Sequence, residues 1–546
     1  MQGLMQDQPL LISTIMKHAA LYHHDGEIVT RAVEGGIHRT TYGEVTRRSA
    51  RLAHALTRLG VGQGDCVSSL AWNSHRHLEL YLAVPAMGAV LNTVNPRLFP
   101  EQISYILNHS EARILCLDLT FLPLVEKLQS HFTTVEKFII MTDRAHMPQT
   151  SLDNVLCYED IIAPEADHFD WPELDENTAA GLCYTSGTTG DPKGVLYSHR
   201  STVLHCFSLC ARDGLALGKA DSVMPIVPMF HVNAWGIPYA ATMCGSKLVF
   251  PGAEMTGENF FTLIKEERCT IALGVPTIWL ALLQYVATLE KQDYAGLPIE
   301  YFVIGGSAAA PSLIQSLEET FDATVLHAWG MTETSPLGSV TRLMAKHADL
   351  TEAEKMAIKV KQGRPIFGVE MKIVDDDGRE LPRDGKAFGR LMVRGPWVAK
   401  AYFKHPESDI LDSEGYFDTG DVSTLDADGY MTIVDRSKDV IKSGGEWISS
   451  IDLESAVLGH PDVAEAAVIG VAHPKWQERP LMIILPKAGR SPGKLEIREY
   501  LDGRVAPWWM PDDIVFVAEM PHTATGKILK LELRKQFRDY HFPAAD

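Results

Sequence analysis

The chain has 546 residues, 46% of them hydrophobic, with 50 basic against 70 acidic residues for a formal charge of −20. That length is past what a single core supports, so two or more domains are expected. The acidic balance argues against a basic stripe for nucleic acid and against a polybasic patch for a membrane surface.

Eight cysteines lie scattered between Cys66 and Cys269. None forms a CxxC pair and no Cys/His set has zinc spacing, which points to reduced thiols in a cytoplasmic protein. The N-terminal MQGLMQDQPLLISTIMKHAA has no basic segment ahead of an apolar one, so a signal peptide is not expected. The apolar run YLAVPAMGAVL from Tyr81 contains a proline and is too short to span a bilayer.

In chain order, TYGEVTRRSARLAHALTRLG (41–60) places its apolar residues on one side and ends on Gly60, which predicts a helix. Short β-rich runs then alternate with helical stretches: ARILCL near 112, KFIIM near 137, SKLVFP near 246, IEYFVIGG near 299 and ATVLHAWG near 323. Such alternation predicts α/β layers with mainly parallel sheets. After about residue 365 the texture changes. VEMKIVDDDG, GRLMVRG and DGYMTIVD alternate more strictly and turn at Asp-Gly pairs, which predicts a small antiparallel β subdomain. DRSKDVIKSGGEWIS reads as a connector, and the remainder as a compact α+β unit. The expected division is therefore 1–434 and 435–546.

One loop carries chemistry on its face. YTSGTTGDPKGV (184–195) lies between the strand-like AAGLCY and GVLYSH. Gly187, Gly190 and Gly194 are expected to take positive φ and let backbone approach a ligand. Successive N–H groups would form an anion nest, with hydroxyls from Thr185, Ser186, Thr188 and Thr189 and a charge from Lys193. The natural ligand is a polyphosphate. The loop is not a Walker motif, because Pro192 precedes the lysine and Gly194 follows it. TGKI near the C-terminus fails as well, with Pro521 where the first glycine belongs.

With five further strings in order, IGGSAAAP (304–311), HAWGMTETSP (327–336), YFDTGDV (416–422), DRSKDVIKSGGEWIS (435–449) and PHTATGKILK (521–530), this loop makes the chain resemble the adenylate-forming superfamily. That superfamily comprises acyl-CoA synthetases, firefly-luciferase-like enzymes and stand-alone adenylation domains, and the resemblance covers nearly the whole chain. It implies a large N-terminal domain of layered α/β sheets plus a small β subdomain, followed by a small, mobile α+β C-terminal domain.

The resemblance also implies a two-step reaction with ATP, Mg²⁺ and CoA. A carboxylate attacks the α-phosphate and pyrophosphate leaves; a thiol then attacks the acyl-adenylate and AMP leaves. The 185–193 loop would grip the β- and γ-phosphates. Gly305, Gly306 and Ser307 would line adenine. His327, Ala328, Trp329, Gly330 and Met331 would border the nucleotide, and Thr332 would touch the α-phosphate. Glu333 would hold Mg²⁺, a hard ion suited to carboxylate, phosphate and water oxygens. Asp421 and Arg436 would reach the ribose, and Lys527 would offset charge building between the attacking carboxylate and phosphorus. Asp435 would be the hinge, and Ser443, Gly444, Gly445 and Glu446 would form part of the pantetheine tunnel.

PMFHVNAWG (228–236) resembles the segment lining the acyl tunnel, with Gly306 and Pro336 also on the acyl side. His231 is either a gate beside the carboxylate or a packed imidazole. Trp235 is either the tunnel floor or a core aromatic. The pairing of the two in HVNAWG is most similar to 3-methylmercaptopropionate–CoA ligases and neighbouring medium-chain acyl-CoA synthetases, which makes 3-methylthiopropanoate the leading acid. Two positions depart from the family pattern: Trp329 stands where tyrosine is usual, and Gln477 where glycine is usual. A carrier-loading adenylation enzyme and a non-catalytic nucleotide or acyl sensor are the alternatives. The expected partners are small molecules, with room for a homodimer.

Overall fold

The computed structural model describes residues 1, 3–185, 191–405, 410–443, 446–522 and 528–543. It separates into two compact units. The first takes the described parts of 1–187 with 191–370 and 394–410; the second takes 371–393 and the described parts of 411–546.

The first unit is built on two large sheets. A seven-stranded sheet runs in the order Val155–Cys157, Lys137–Ile140, Ala112–Leu117, Cys66–Leu70, Val90–Thr93, Ala179–Tyr184, Gly194–Ser198. All neighbours are parallel except the last two strands, which are antiparallel and flank the phosphate-type loop. A nine-stranded sheet runs in the order Arg364–Pro365, Leu337–Val340, Thr324–Gly330, Tyr301–Ile304, Ile271–Gly274, Ser222–Pro225, Lys247–Phe250, Glu27–Arg31, Ile37–Thr41. Its middle is parallel and both ends are antiparallel. The strands expected near 112, 137, 246, 299 and 323 are present, as is the early helix, at Tyr42–Arg58, with the Thr41 side chain accepting from the Glu44 N–H as its cap. The hairpin Glu27–Thr41 is an addition to the elements expected from the sequence. It extends the sheet by pairing Val29 with Val249, and its second strand is mostly exposed and polar, so it lacks a hydrophobic signal.

Parallel strands buried on both faces read as continuous apolar runs, which is why they were legible. Phe302, Ile304, Ala272 and Val325 of this sheet pack with Trp279, Leu282, Ile314 and Leu317 from the covering helices. All eight cysteines are unpaired, and burial pushes Cys66, Cys116 and Cys269 up to about 12. Among the described residues no helix is long and apolar enough to cross a membrane.

The second unit holds two antiparallel-rich sheets. Four strands, Glu370–Val374, Phe388–Arg394, Phe417–Leu425 and Met431–Arg436, form the small β layer expected after residue 365. In this division it groups with the C-terminal residues. The other sheet joins Glu446–Ile448, Ile441–Ser443, Gln477–Pro486 and Val463–His473, with Asp513–Phe516 parallel to Gln477–Pro486. Period-two alternation sends Val468, Met482 and Ile484 to one face, against Leu453, Ile497 and Leu501. It sends Ala467, Ile469 and Ile483 to the other, against Met520 and Leu533.

Candidate functional site

In the first unit the 184–195 loop is closed at its base. Thr185 N–H donates to the Lys193 carbonyl at 2.9 Å, and Lys193 N–H donates to Thr185 Oγ1 at 3.2 Å. Ser186, Gly187, Thr188, Thr189 and Gly190 lie outside the described residues. Gly194 does not take the positive φ expected of it. It begins the return strand, and a β-carbon there would meet Leu182, Phe403 and Tyr184 at 3.1–3.2 Å, so its smallness serves packing.

The HAWGMTE string leaves the sheet at a bulge between Trp329 and Gly330. Here Gly330 is demanded by backbone, since a β-carbon would lie 2.1 Å from the Pro336 carbonyl oxygen. His327 is buried, hydrogen-bonds through Nδ1 to the Val360 carbonyl at 3.0 Å, and is pulled down to about 4 by burial, so it is neutral. Ala328 and Trp329 are buried beside it, while Met331 is partly exposed.

Beyond the bulge, Thr332 and Glu333 are held by two tyrosines that sequence reasoning did not single out. Tyr197 donates to the Thr332 carbonyl at 2.7 Å, and Tyr402 donates to Glu333 Oε1 at 2.7 Å. The Lys193 ammonium sits 4.9 Å from the centre of the Tyr402 ring. No group of three or more His, Cys, Asp or Glu able to hold a metal occurs among the described residues. A cation at Glu333 would therefore take its other ligands from phosphate and water, which is the donor set magnesium prefers.

Gly305 and Gly306 answer two different demands. Gly306 has φ +79°, a left-handed value. Gly305 does not, but a β-carbon on it would lie 2.9 Å from Cη2 of Trp235 and 3.2 Å from the Ala328 carbonyl oxygen. Ser307 is exposed at the end of this turn.

Trp235 arrives there on an unusual backbone. Val232, Asn233, Ala234, Trp235 and Gly236 all have positive φ, from 46° to 79°, a single left-handed turn. Non-glycine residues disfavour this by roughly 1–2 kcal/mol each, so the surroundings must impose it. Asn73 clamps the preceding segment, donating to the Pro225 and Val227 carbonyls and accepting from Met229 N–H at 2.6 Å. Tyr81 reaches the Met229 carbonyl and Asn233 Oδ1, and Cys183 also points to that oxygen. His231 precedes the turn and is half-buried, its N–H donating to the Pro228 carbonyl at 3.1 Å. Pro336 follows Ser335, itself at φ +67°. Only Asn233 and Gly236 hint at the left-handed turn in the sequence.

In the second unit, Asp421 and Arg436 are cross-strand partners. Arg436 Nε lies 2.7 Å from Asp421 Oδ1, with the carboxylate buried and the guanidinium half-exposed. Asp435 is buried. Its Oδ2 accepts the Ser450 N–H at 2.6 Å, at the start of the helix Ser450–Leu458, and its Oδ1 accepts the Arg436 N–H at 2.7 Å. Burial raises its pKa, against the opposing charge of Lys530. Ser443 pairs with Glu446 across a hairpin and accepts Arg479 Nη1 at 3.1 Å. Arg479 is further saturated by Asp512 and by the Trp508 and Met510 carbonyls, which makes it a structural cation. Gln477 has φ +69°, a left-handed value that favours glycine. Gly444, Gly445 and Lys527 lie outside the described residues.

The family description "AMP-binding enzyme" matches residues 17–403, and "AMP-binding enzyme C-terminal domain" matches 452–527. A 3-methylmercaptopropionyl-CoA ligase of Ruegeria pomeroyi is 51% identical over 539 residues, covering 99% of each chain. A medium-chain-fatty-acid–CoA ligase of Ectopseudomonas oleovorans is 46% identical, over 99% of this chain and 98% of that one. Among solved structures, the anthranilate CoA ligase AuaEII in complex with anthranoyl-AMP superimposes with a TM-score of 0.82 at 26% identity, covering 97% and 99% of the two chains. Matched end to end by these proteins, and by the family description across most of its length, the chain belongs to the AMP-binding enzymes.

Proposed function

We propose that the protein is an AMP-forming acid–CoA ligase whose preferred acid is 3-methylthiopropanoate. The observation that carries the choice of acid is the Trp235 indole pressed to within a β-carbon's reach of Gly305. A ring in that place leaves room for a short chain and offers an aromatic surface to a thioether sulfur. The Ruegeria relative named for this acid supports the same choice. The Ectopseudomonas relative, named for medium-chain fatty acids, supports a second: a general medium-chain ligase.

The chemistry asks the protein for position and charge, not for a covalent group. The Thr185–Lys193 loop receives the β- and γ-phosphates. Thr332 meets the α-phosphate, while Gly305, Gly306 and the 327–331 strand end accept adenine. Asp421 takes the ribose hydroxyls, with Arg436 beside it. Glu333, fixed by Tyr402, would hold magnesium, whose role when bound is to neutralise phosphate charge. His231 stands at the carboxylate end of the acyl chain. Lys527 supplies the cation between carboxylate and α-phosphorus for the first step. Rotation about Asp435 then presents Ser443–Glu446 to the pantetheine arm for the second. We place the reaction in the cytoplasm, on free acid, ATP and CoA.

The test is a panel of carboxylic acids assayed for ATP-dependent pyrophosphate release, then for AMP release on adding CoA. Release of AMP only on adding a carrier protein would indicate a carrier-loading enzyme, and no pyrophosphate with any acid a sensor. Lys527→Ala should abolish pyrophosphate release from acid and ATP yet convert supplied acyl-adenylate to acyl-CoA. Equal loss of both halves would overturn the division of labour.

A further inference from the structure

The segment 395–405 crosses between the two parts of the phosphate site within the first unit. Ala399 N–H donates to the Glu333 carbonyl at 2.7 Å, and Ser335 Oγ donates to the Trp397 carbonyl at 2.8 Å. Trp397 Nε1 donates to the Leu337 carbonyl at 3.1 Å. At its other end Phe403 N–H donates to the Gly194 carbonyl at 2.8 Å, directly after Lys193. The segment is thus bonded to the metal-type motif on one side and to the end of the polyphosphate loop on the other. Tyr402 is where both meet in side chains: its hydroxyl is on Glu333 Oε1 and its ring lies under the Lys193 ammonium.

We propose that Tyr402 is a positioning residue for the metal–nucleotide complex, fixing the rotation of the Glu333 carboxylate through its hydroxyl and the reach of Lys193 through its ring. This rests on the reading of Glu333 as the magnesium ligand and Lys193 as a phosphate ligand. One feature favours the role over a purely structural one. A hydrogen bond to one carboxylate oxygen sets the direction in which the other lone pairs face, which matters for a metal that demands near-octahedral geometry. The contact with Lys193 is independent of the hydroxyl, so the two functions are separable by substitution.

The experiment measures equilibrium binding of a non-hydrolysable ATP analogue by calorimetry while magnesium is titrated. Tyr402→Phe keeps the ring and drops the hydroxyl. It should need about tenfold more magnesium for the same analogue affinity, as expected for loss of a hydrogen bond to a charged group. Tyr402→Leu should lose a further two- to fivefold or so of affinity at saturating magnesium, through loss of the cation–π contact. In a Glu333→Gln background Tyr402→Phe should add nothing. If Tyr402→Phe titrates like wild type while Glu333→Gln shifts, the role given to Tyr402 is overturned. An additive shift in the double variant overturns the route through Glu333. If Glu333→Gln also titrates like wild type, it is the metal site itself that was misassigned.

Discussion

Trp235 and Gly305 are mutually dependent: the indole Cη2 occupies space that any side chain at 305 would claim, with only 2.9 Å left to a β-carbon. The indole has little freedom to retreat, because its own backbone is in the left-handed turn 232–236.

Trp235→Ala should therefore open the acyl site to longer acids. Each added buried methylene contributes about 0.8 kcal/mol, roughly fourfold in affinity, so gains should climb stepwise from pentanoate to octanoate. In the wild type the thioether acid should exceed pentanoate by only about two- to tenfold in kcat/KM, the size of a sulfur–aromatic contact. Gly305→Ala should do the opposite of Trp235→Ala, lowering kcat/KM for every acid by driving the ring into the site, and the double variant should recover. Octanoate already best in wild type, with a ranking indifferent to Trp235→Ala, would return Trp235 to the core.

Acid should destabilise the first unit through its buried histidines. Burial holds His77, His199 and His327 at about 4 and His205 at about 3. Unfolded histidine titrates near 6.5. Between those values the unfolded chain binds protons that the folded chain refuses, so this stability is complete above about pH 6.5 and is lost as pH falls towards 4. Each unit of separation corresponds to about 1.4 kcal/mol per histidine. Asp118, raised to about 7 by burial, works in the opposite direction, so a difference measurement is needed. His205 accepts the Leu337 N–H through Nε2 at 3.2 Å, a bond that a glutamine oxygen can also accept. His205→Gln should lose less stability than wild type in urea titrations between pH 6.5 and about 4.5. Parallel slopes would show that His205 is not part of the acid response.

The sheets were legible because strands covered on both faces leave unbroken apolar runs, as in ARILCL and YFVI. The exposed strand IHRTT carries no such signal, so its hairpin is not legible in the sequence. The 184–195 loop can likewise be read from its own glycines, hydroxyls and lysine, whereas Glu333, Asp421 and Asp435 are singled out only by the resemblance of the strings they stand in. Tyr197 and Tyr402 are marked in neither way. Each acts on a residue more than sixty positions away, and only the fold brings a phenol to a carbonyl or a carboxylate. The left-handed turn at Trp235 is hidden for the same reason, since its cause lies in Asn73 and Tyr81.

Gln477 carries a conformational burden that glycine would not. At φ +69° its Cβ is crowded against its own backbone, a penalty of the order of 1 kcal/mol that is partly offset by the greater freedom of unfolded glycine. Gln477→Gly should raise the urea midpoint of the second unit by an amount equivalent to about 0.5–1 kcal/mol. If it lowers that midpoint instead, the glutamine side chain supplies a contact worth more than the strain.

Asp435 combines three properties, and a hinge test must separate them. Its carboxylate accepts the Ser450 N–H at the head of a helix and its residue pairs with Val422 across the sheet; the proposed hinge adds a φ that changes between the two half-reactions. Proline at 435 removes all three at once, since it fixes φ and has no N–H. Asp435→Ala removes only the carboxylate, at an expected loss of about 1–3 kcal/mol for leaving the buried Ser450 N–H unpaired, and leaves the backbone free to rotate. Asp435→Ala should thus form acyl-adenylate and acyl-CoA, while Asp435→Pro should form adenylate and stop there. Single-turnover assays of pyrophosphate and then of acyl-CoA read the two halves separately. Should the alanine variant stall at the adenylate as well, the cap on Ser450 and not the rotation of residue 435 is what the second half-reaction requires. Should the proline variant turn over normally, the pivot lies elsewhere in 435–449.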